Sequence, residues 1–149
     1  MTEIRPSNVD EMLANAGELF SEHWEEIALN KQVMVLKPDE AKYRAAEANG
    51  MLLILAAFEG EKVVGYSVNI VTNHLHYADL ITCSNDLLFV TESKRSGRLG
   101  LQLIRATEKA AKERGARLML WHAKPGTPLE KMMPRLGYGV QDIIFSFQI

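Results

Sequence analysis

Three cationic side chains lie in a short turn that separates an apolar run from a helical pattern. Lys94, Arg95 and Arg98 stand within a few positions of Gly97 and Gly100. The first turn of a helix leaves backbone N–H groups without partners at its positive end, so phosphate oxygens bind there readily. Glycines let the backbone approach such a group, and cations reinforce the field. No Gly-Lys-Ser/Thr follows, so the turn is not a Walker loop, and it predicts a pyrophosphate site of another kind.

The elements around this turn are a strand and a helix. The run Leu87–Val90 is apolar and too short for a helix, which indicates a buried strand. After the turn, an apolar face recurs at helical spacing up to the stop at Gly115. That face carries Leu99, Leu103, Ala106 and Ala110.

This strand, turn and helix resemble the GNAT superfamily of acyl-CoA-dependent N-acetyltransferases. The family signature is Arg/Gln-x-x-Gly-x-Gly/Ala, and Arg95–Gly100 reads RSGRLG. The first and last positions match, whereas Arg98 replaces the middle glycine and Gly97 precedes it. Arg135–Tyr138, reading RLGY, extends the resemblance towards the end of the chain. The resemblance implies an α/β (α+β) fold with a mixed, mostly antiparallel sheet, splayed fourth and fifth strands, and helices on both faces.

The resemblance also implies acetyl-CoA as the acyl donor. Backbone groups of Leu88 and Val90 would bind the pantetheine arm, and a backbone N–H near Phe89 would polarise the thioester carbonyl. The pyrophosphate would be held by the turn and the first residues of the helix, namely Arg95, Ser96, Gly97, Arg98, Leu99, Gly100 and Leu101.

Asp86 is the predicted general base. Family members often carry an acidic residue at this place in the fourth strand, and an ammonium group must lose its proton before it can attack. We expect a partly buried carboxylate; the alternative is a structural aspartate. His122, at the end of the fifth strand, is a second candidate proton carrier or else a structural strand-end histidine. Met133 replaces the tyrosine that is the usual general acid, so His122, Tyr77 or solvent would protonate the departing thiolate.

Two polar clusters are candidates for the acceptor pocket. His23, Glu25 and Glu26 lie on the first long helix, which the resemblance places along the acceptor cleft; the alternative is that they pack on the sheet or face solvent. A loop at residues 72–77, reading TNHLHY, supplies His74, His76 and Tyr77; it either lines the acceptor pocket or packs against the first helix. It lacks cysteine or carboxylate at a recognised metal-binding spacing, so we predict no metal. The two clusters together resemble a small GNAT subgroup often carried by bacteriophages.

The rest of the chain predicts further elements. Helices are expected over residues 7–29, 38–49 and 129–135, the first of them capped by Ser7. Besides a short first strand at 2–5, strands are expected at 51–58, 63–71, 78–90, 116–122 and, from the alternation of Ile143, Phe145, Phe147 and Ile149, at 139–149.

Composition sets the broad class. With 149 residues, 47% hydrophobic and 24% charged, the chain is expected to form one globular domain. The resemblance implies that this is a single N-acetyltransferase domain over residues 1–149. A net charge of −2 argues against nucleic acid as a partner. One cysteine, Cys83, and no signal or membrane segment predict a cytoplasmic protein without membrane partners.

The acceptor would be a small-molecule or a protein amine, and homodimers through the last strands are common in the family. Two other functions remain open at this point. One is a non-catalytic module that binds acyl-CoA, and the other is a factor that modifies or docks onto a host protein.

Overall fold

The computed structural model describes residues 1–149 and is organised around one five-stranded sheet. The strands follow chain order across the sheet, and only the last pair is parallel. They are β1 (Glu3–Ser7), β2 (Leu52–Glu59), β3 (Lys62–Asn73), β4 (Ile81–Val90) and β5 (Leu118–Leu120). The mixed, mostly antiparallel sheet predicted from the resemblance is confirmed.

Helices cover both faces of this sheet. They are α1 (Val9–Asn15), α2 (Gly17–Ile27), α3 (Glu40–Ala48), α4 (Leu99–Glu113) and α5 (Pro128–Met132), with single 3₁₀ turns at Glu92–Lys94 and Pro134–Leu136. One apolar cluster joins α1 and α2 to β2 and β3, and a second joins α4 to the opposite face. The central strands are therefore buried on both sides, which explains the nearly continuous apolar run of β2.

The predicted first long helix is two helices. The break lies at Ala16, whose φ of −122° is not helical. The cap at the start is also one residue later than predicted, because the Asn8 side chain accepts a hydrogen bond from the Glu11 N–H. Ser7 instead donates from its hydroxyl to the Glu11 carboxylate at 2.6 Å.

β4 and β5 pair only briefly, over three residues of each strand. The pairs are Thr82 with Leu118, Cys83 with Met119, and Ser84 with Leu120. β4 runs on to Val90, so its last six residues have no strand beside them on that side. The predicted splaying of the two strands is therefore present, and β5 is shorter than the predicted 116–122.

The expected final strand at 139–149 is wrong. These residues form no helix or strand and are exposed throughout. The alternation of apolar residues was the only basis for that strand, and alternation does not supply a partner strand for the backbone. The segment leaves large apolar side chains in solvent, namely Val140, Ile143, Ile144, Phe145, Phe147 and Ile149.

No helix has both the length and the apolar character needed to cross a bilayer.

Candidate active site

Of the three cationic side chains in the turn after β4, one forms no ion pair. Lys94 Nζ lies 2.6 Å from Glu59 Oε1, and Arg95 is held by Glu26. Arg98 forms no ion pair and is exposed. Arg98 is thus the side chain of this turn with its charge available to an anion.

The start of α4 is open to an incoming group. Arg98 occupies the N-cap position and makes no side-chain cap bond, so the first N–H groups of the helix lack a side-chain partner. A Cβ added at Gly97 or at Gly100 would meet no atom within 4 Å. Packing within the chain therefore does not require glycine at either position, and the free space suits a phosphate lying close to the backbone.

Arg95 ties the turn to α2. Its two terminal nitrogens donate to the two Glu26 oxygens at 2.7 Å each, and its Nε donates to the Val90 carbonyl at 2.8 Å. The guanidinium also lies over the Phe89 ring, 4.9 Å from the ring centre. This pairing holds the pKa of the Glu26 carboxyl below its usual range. Arg95 was predicted to contact pyrophosphate and Glu26 the acceptor, but in this structure they bind each other.

A second carboxylate of α2, which sequence reasoning missed, reinforces this connection. Glu22 accepts from the Thr91 hydroxyl at 3.1 Å and lies 3.4 Å from the Glu92 N–H. Glu22 and Glu26 are four residues apart, so both face the same way on the helix. That spacing was visible in the sequence, but nothing there showed which segment would meet it.

His23 is buried beneath this connection. Its ring stacks on Phe89 at a centroid distance of 4.5 Å, and its Nδ1 lies 2.7 Å from the Tyr66 hydroxyl. Burial lowers the pKa of His23 to about 4; the Glu26 charge opposes that shift, and the charges of Arg95 and Lys124 add to it. His23 is therefore a neutral core residue in this structure. Of His23, Glu25 and Glu26, only Glu25 is both exposed and without a hydrogen bond to the turn.

Asp86 occupies a β-bulge. The register of β3 with β4 shifts so that Val68 pairs with Leu87 and Asn69 pairs with Asn85, which leaves Asp86 as the extra residue. Asp86 is exposed, not partly buried as expected, because the bulge turns it out of the strand. Its charge still acts on Tyr43 of α3: the pKa of Tyr43 is raised mainly by burial and to a smaller extent by the charge of Asp86. Tyr43 is a neighbour of Asp86 that sequence reasoning missed.

Met133, which replaces the usual general acid, its neighbour Tyr138 and the candidate His122 lie in different places. The Tyr138 hydroxyl donates to Glu108 of α4, so this tyrosine holds the end of the chain against the helix. Met133 is buried. His122 is exposed two positions beyond the end of β5, on the side where β4 and β5 separate.

His74, His76 and Tyr77 lie at the opposite end of β4 from the turn. They form the connection between β3 and β4, in which the His74 N–H donates to the Leu80 carbonyl at 2.7 Å. The turn with Arg98 follows the other end of this ten-residue strand, roughly 30 Å away at ~3.3 Å per residue. The order of the sequence already placed this loop before the strand and the turn after it.

A surface cavity of about 550 Å³ also lies at this far end, beside Asn73 and Arg114. The Arg114 guanidinium donates to the Leu52 carbonyl at 2.6 Å, so its main contact is structural. The cavity contains none of the residues predicted for catalysis or acyl-donor binding.

Cys83 is fully buried under α4, and burial raises the pKa of its thiol to about 11. Cys83 is therefore a core residue and not a nucleophile.

Comparison with known proteins decides the family. The sequence model of the acetyltransferase (GNAT) family matches residues 15–138, which is most of the chain. The chain belongs to the GNAT acetyltransferase family. It is therefore an acyltransferase, and the family assignment agrees with acetyl-CoA as the acyl donor.

Solved structures share the GNAT fold over the full length. An aminoglycoside acetyltransferase from an uncultured soil metagenomic sample is 18% identical with a TM-score of 0.75, covering 100% of this chain and 97% of that one. Ribosomal-protein-alanine N-acetyltransferase from Brucella melitensis biovar Abortus 2308 is 14% identical with a TM-score of 0.74, covering 100% and 99%. The aminoglycoside acetyltransferase AAC(6')-Iy, in complex with a bisubstrate analog of CoA, is 19% identical with a TM-score of 0.67, covering 100% and 98%.

No curated protein sequence matches the chain significantly. The narrower resemblance to a bacteriophage-type subgroup stays a prediction.

Proposed function

We propose that this GNAT protein is an N-acetyltransferase that moves an acetyl group from acetyl-CoA to a primary amine by direct attack in a ternary complex. The observation that carries the proposal is the free side of β4 beyond Ser84, which leads directly into the open start of α4. An extended pantetheine arm would lie along this free side, beside Leu88, Phe89 and Val90.

The phosphate end of the donor is assigned to the turn and to α4. Arg98 supplies the free charge, and the backbone from Gly97 to Leu101 supplies N–H donors. Arg95 contributes indirectly in this proposal, because its bonds to Glu26 and to the Val90 carbonyl fix the course of the chain into the turn.

The transfer itself needs a base, a donor to the thioester oxygen and a proton for the leaving group. Asp86 accepts the ammonium proton directly or through water, and the freed amine attacks the carbonyl carbon. A backbone N–H near Phe89 donates to the carbonyl oxygen as negative charge develops there, which is typically worth ~3 kcal/mol per donor. The nitrogen loses its second proton to solvent, the carbon–sulfur bond breaks to give the amide, and His122 or solvent protonates the thiolate. Neither Tyr77 nor Tyr138 is assigned the role of proton donor, because Tyr77 lies at the far end of β4 and the Tyr138 hydroxyl is bonded to Glu108.

The acceptor class remains a choice between two kinds of amine. Related structures include enzymes named for aminoglycosides and for ribosomal-protein alanine, so small polycationic amines and protein N-termini are the first compounds to test. In this proposal the acceptor reaches Asp86 from the side of α3, where Tyr43 lies.

Replacement of Asp86 by asparagine tests the assigned chemistry. We expect Asp86→Asn to fold, to bind acetyl-CoA as the wild type does, and to lose ~10²- to 10⁴-fold in kcat, the usual contribution of a general base. Turnover is measured as CoA release with a panel of amines, and acetylated products are identified by mass. Asp79→Asn, on an exposed aspartate before β4 that has no assigned role, is the matched control. Full turnover by Asp86→Asn would remove Asp86 from the mechanism, and donor binding without turnover of any amine would favour a non-catalytic acyl-CoA-binding protein.

A further inference from the structure

A fully buried polar network lies next to the bulge, under α4. Its members are Ser67, Asn69 and Asn85, each at most 1% exposed. Asn85 Nδ2 donates to Asn69 Oδ1 at 2.9 Å, and Asn69 Nδ2 donates to the Ser67 hydroxyl at 3.0 Å and to the Leu53 carbonyl at 3.1 Å. The network therefore links three adjacent strands, β2, β3 and β4, through side-chain amides.

One hydrogen bond of this network joins the two residues on either side of Asp86. Asn85 Nδ2 also donates to the Leu87 carbonyl at 2.9 Å, which lies two positions further along the same strand. A bulge disrupts the regular ladder and leaves backbone groups to be satisfied in another way. The Asn85 amide supplies such a partner at the residue that follows Asp86.

The bulge also changes which residues of β4 face α4. Before it, Cys83 and Asn85 lie on the α4 side, and after it Leu88 and Val90 do. Leu87 and Phe89 belong to the opposite core. A shift of the bulge by one residue would move Asp86 into line with the strand and leave Leu87 as the extra residue, and loss of the bulge would exchange the faces of the residues after it.

Buried polar side chains such as these are unusual in the interior of a strand. Burying an amide costs free energy unless each polar group is bonded, and an apolar side chain of similar size would fill the same space more simply. The directional bonds of this network, however, specify one register where apolar contacts specify it weakly.

We propose that Asn85 is a positioning residue for acetyl transfer: by bonding Asn69 and the Leu87 carbonyl it fixes the bulge that turns Asp86 out of β4 beside the free side of the strand. This inference rests on the proposed function, because Asp86 acts as the base there. Asn85 does not touch the substrates, so it acts through Asp86.

A double-mutant cycle tests the coupling between the two residues. We expect Asn85→Leu to lower kcat at least tenfold with little change in KM for acetyl-CoA, and Asn85→Leu combined with Asp86→Asn to be no slower than Asp86→Asn alone. Cys83→Ala, on the same strand and the same face, is the control and should lower stability without lowering kcat. Two outcomes would overturn the proposal. One is a double variant whose loss of kcat is the product of the losses in the two single variants, and the other is a loss of kcat in Cys83→Ala equal to that in Asn85→Leu.

Backbone hydrogen exchange tests the bulge without an acceptor. In Asn85→Leu we expect the amides of residues 86–88 to exchange at least tenfold faster than in Cys83→Ala, while β2 stays protected. Equal protection in both variants would overturn the role of Asn85 in the bulge. If the wild type acetylates no amine, the proposed function fails, and with it the catalytic purpose of Asn85, whereas the exchange result still decides whether Asn85 holds the bulge.

Discussion

His23 is the residue whose chemistry differs most from what its position in the sequence suggested. As a histidine beside two glutamates it had the features of an acceptor contact, yet its ring is packed between Phe89 and Tyr66. The protein therefore has to bury this histidine in its neutral form.

The burial of His23 predicts a loss of stability on acidification. Its folded pKa of about 4 lies below the ordinary value of 6.5, so the unfolded chain binds a proton that the folded chain does not. Stability from this group is complete above pH 6.5 and falls as the pH drops towards 4, by up to ~3 kcal/mol. Urea unfolding at several pH values measures this slope.

His23→Gln is the variant that tests whether His23 causes this pH dependence of the unfolding free energy. Glutamine retains a hydrogen-bonding group for Tyr66 and cannot titrate. We expect the unfolding free energy of the variant to depend less on pH between 4 and 6.5 than that of the wild type. Equal slopes in the two proteins would show that His23 does not supply the effect.

At the scale of elements, the packing of α4 on the sheet depends on a small residue in β3. A methyl group on Gly65 would lie 3.1 Å from the Phe89 carbonyl oxygen and 3.2 Å from Leu103 Cδ1. Leu103 is completely buried, and the Phe89 carbonyl is part of the backbone of a central strand, so neither can move away freely.

Gly65→Ala should therefore destabilise the protein. Overpacking of this kind typically costs about 1–3 kcal/mol, more than the ~0.4–1 kcal/mol gained from a less flexible unfolded chain. Gly139→Ala is the control, since a Cβ there meets no atom within 4 Å. Thermal and urea unfolding compare the two variants, and a Gly65→Ala protein as stable as the control would contradict close packing at Gly65.

The sequence predicted the elements that have a strong local pattern. The apolar run of β2, the turn and the amphipathic α4 were placed within a few residues, since each is specified by its own periodicity. The network of Asn69 and Asn85 was not foreseen, because the partner of a buried amide depends on strand register. The false final strand failed for the same reason: alternation fixes the faces of a strand but not the existence of a neighbour.

At the scale of the whole molecule, the proposed chemistry gathers at one end of the sheet. The free side of β4, the bulge at Asp86 and the open start of α4 lie in sequence along one strand and the helix that follows it. The histidine-rich connection between β3 and β4 lies at the other end. Because Glu22 and Glu26 tie α2 to the turn, the two clusters that the sequence assigned to one acceptor pocket lie towards opposite ends of β4.

The most direct test of the account is calorimetric titration of the wild type, Gly100→Leu and Gly17→Leu with acetyl-CoA. Both glycines lie in the first turn of a helix with no atom within 4 Å of an added Cβ, so a side chain can begin at either position without a clash, and the melting temperatures check that both variants stay folded. We predict that Gly17→Leu binds as the wild type does and that Gly100→Leu binds at least tenfold more weakly. Equal binding by all three proteins, or none by the wild type, would contradict a donor site at the start of α4.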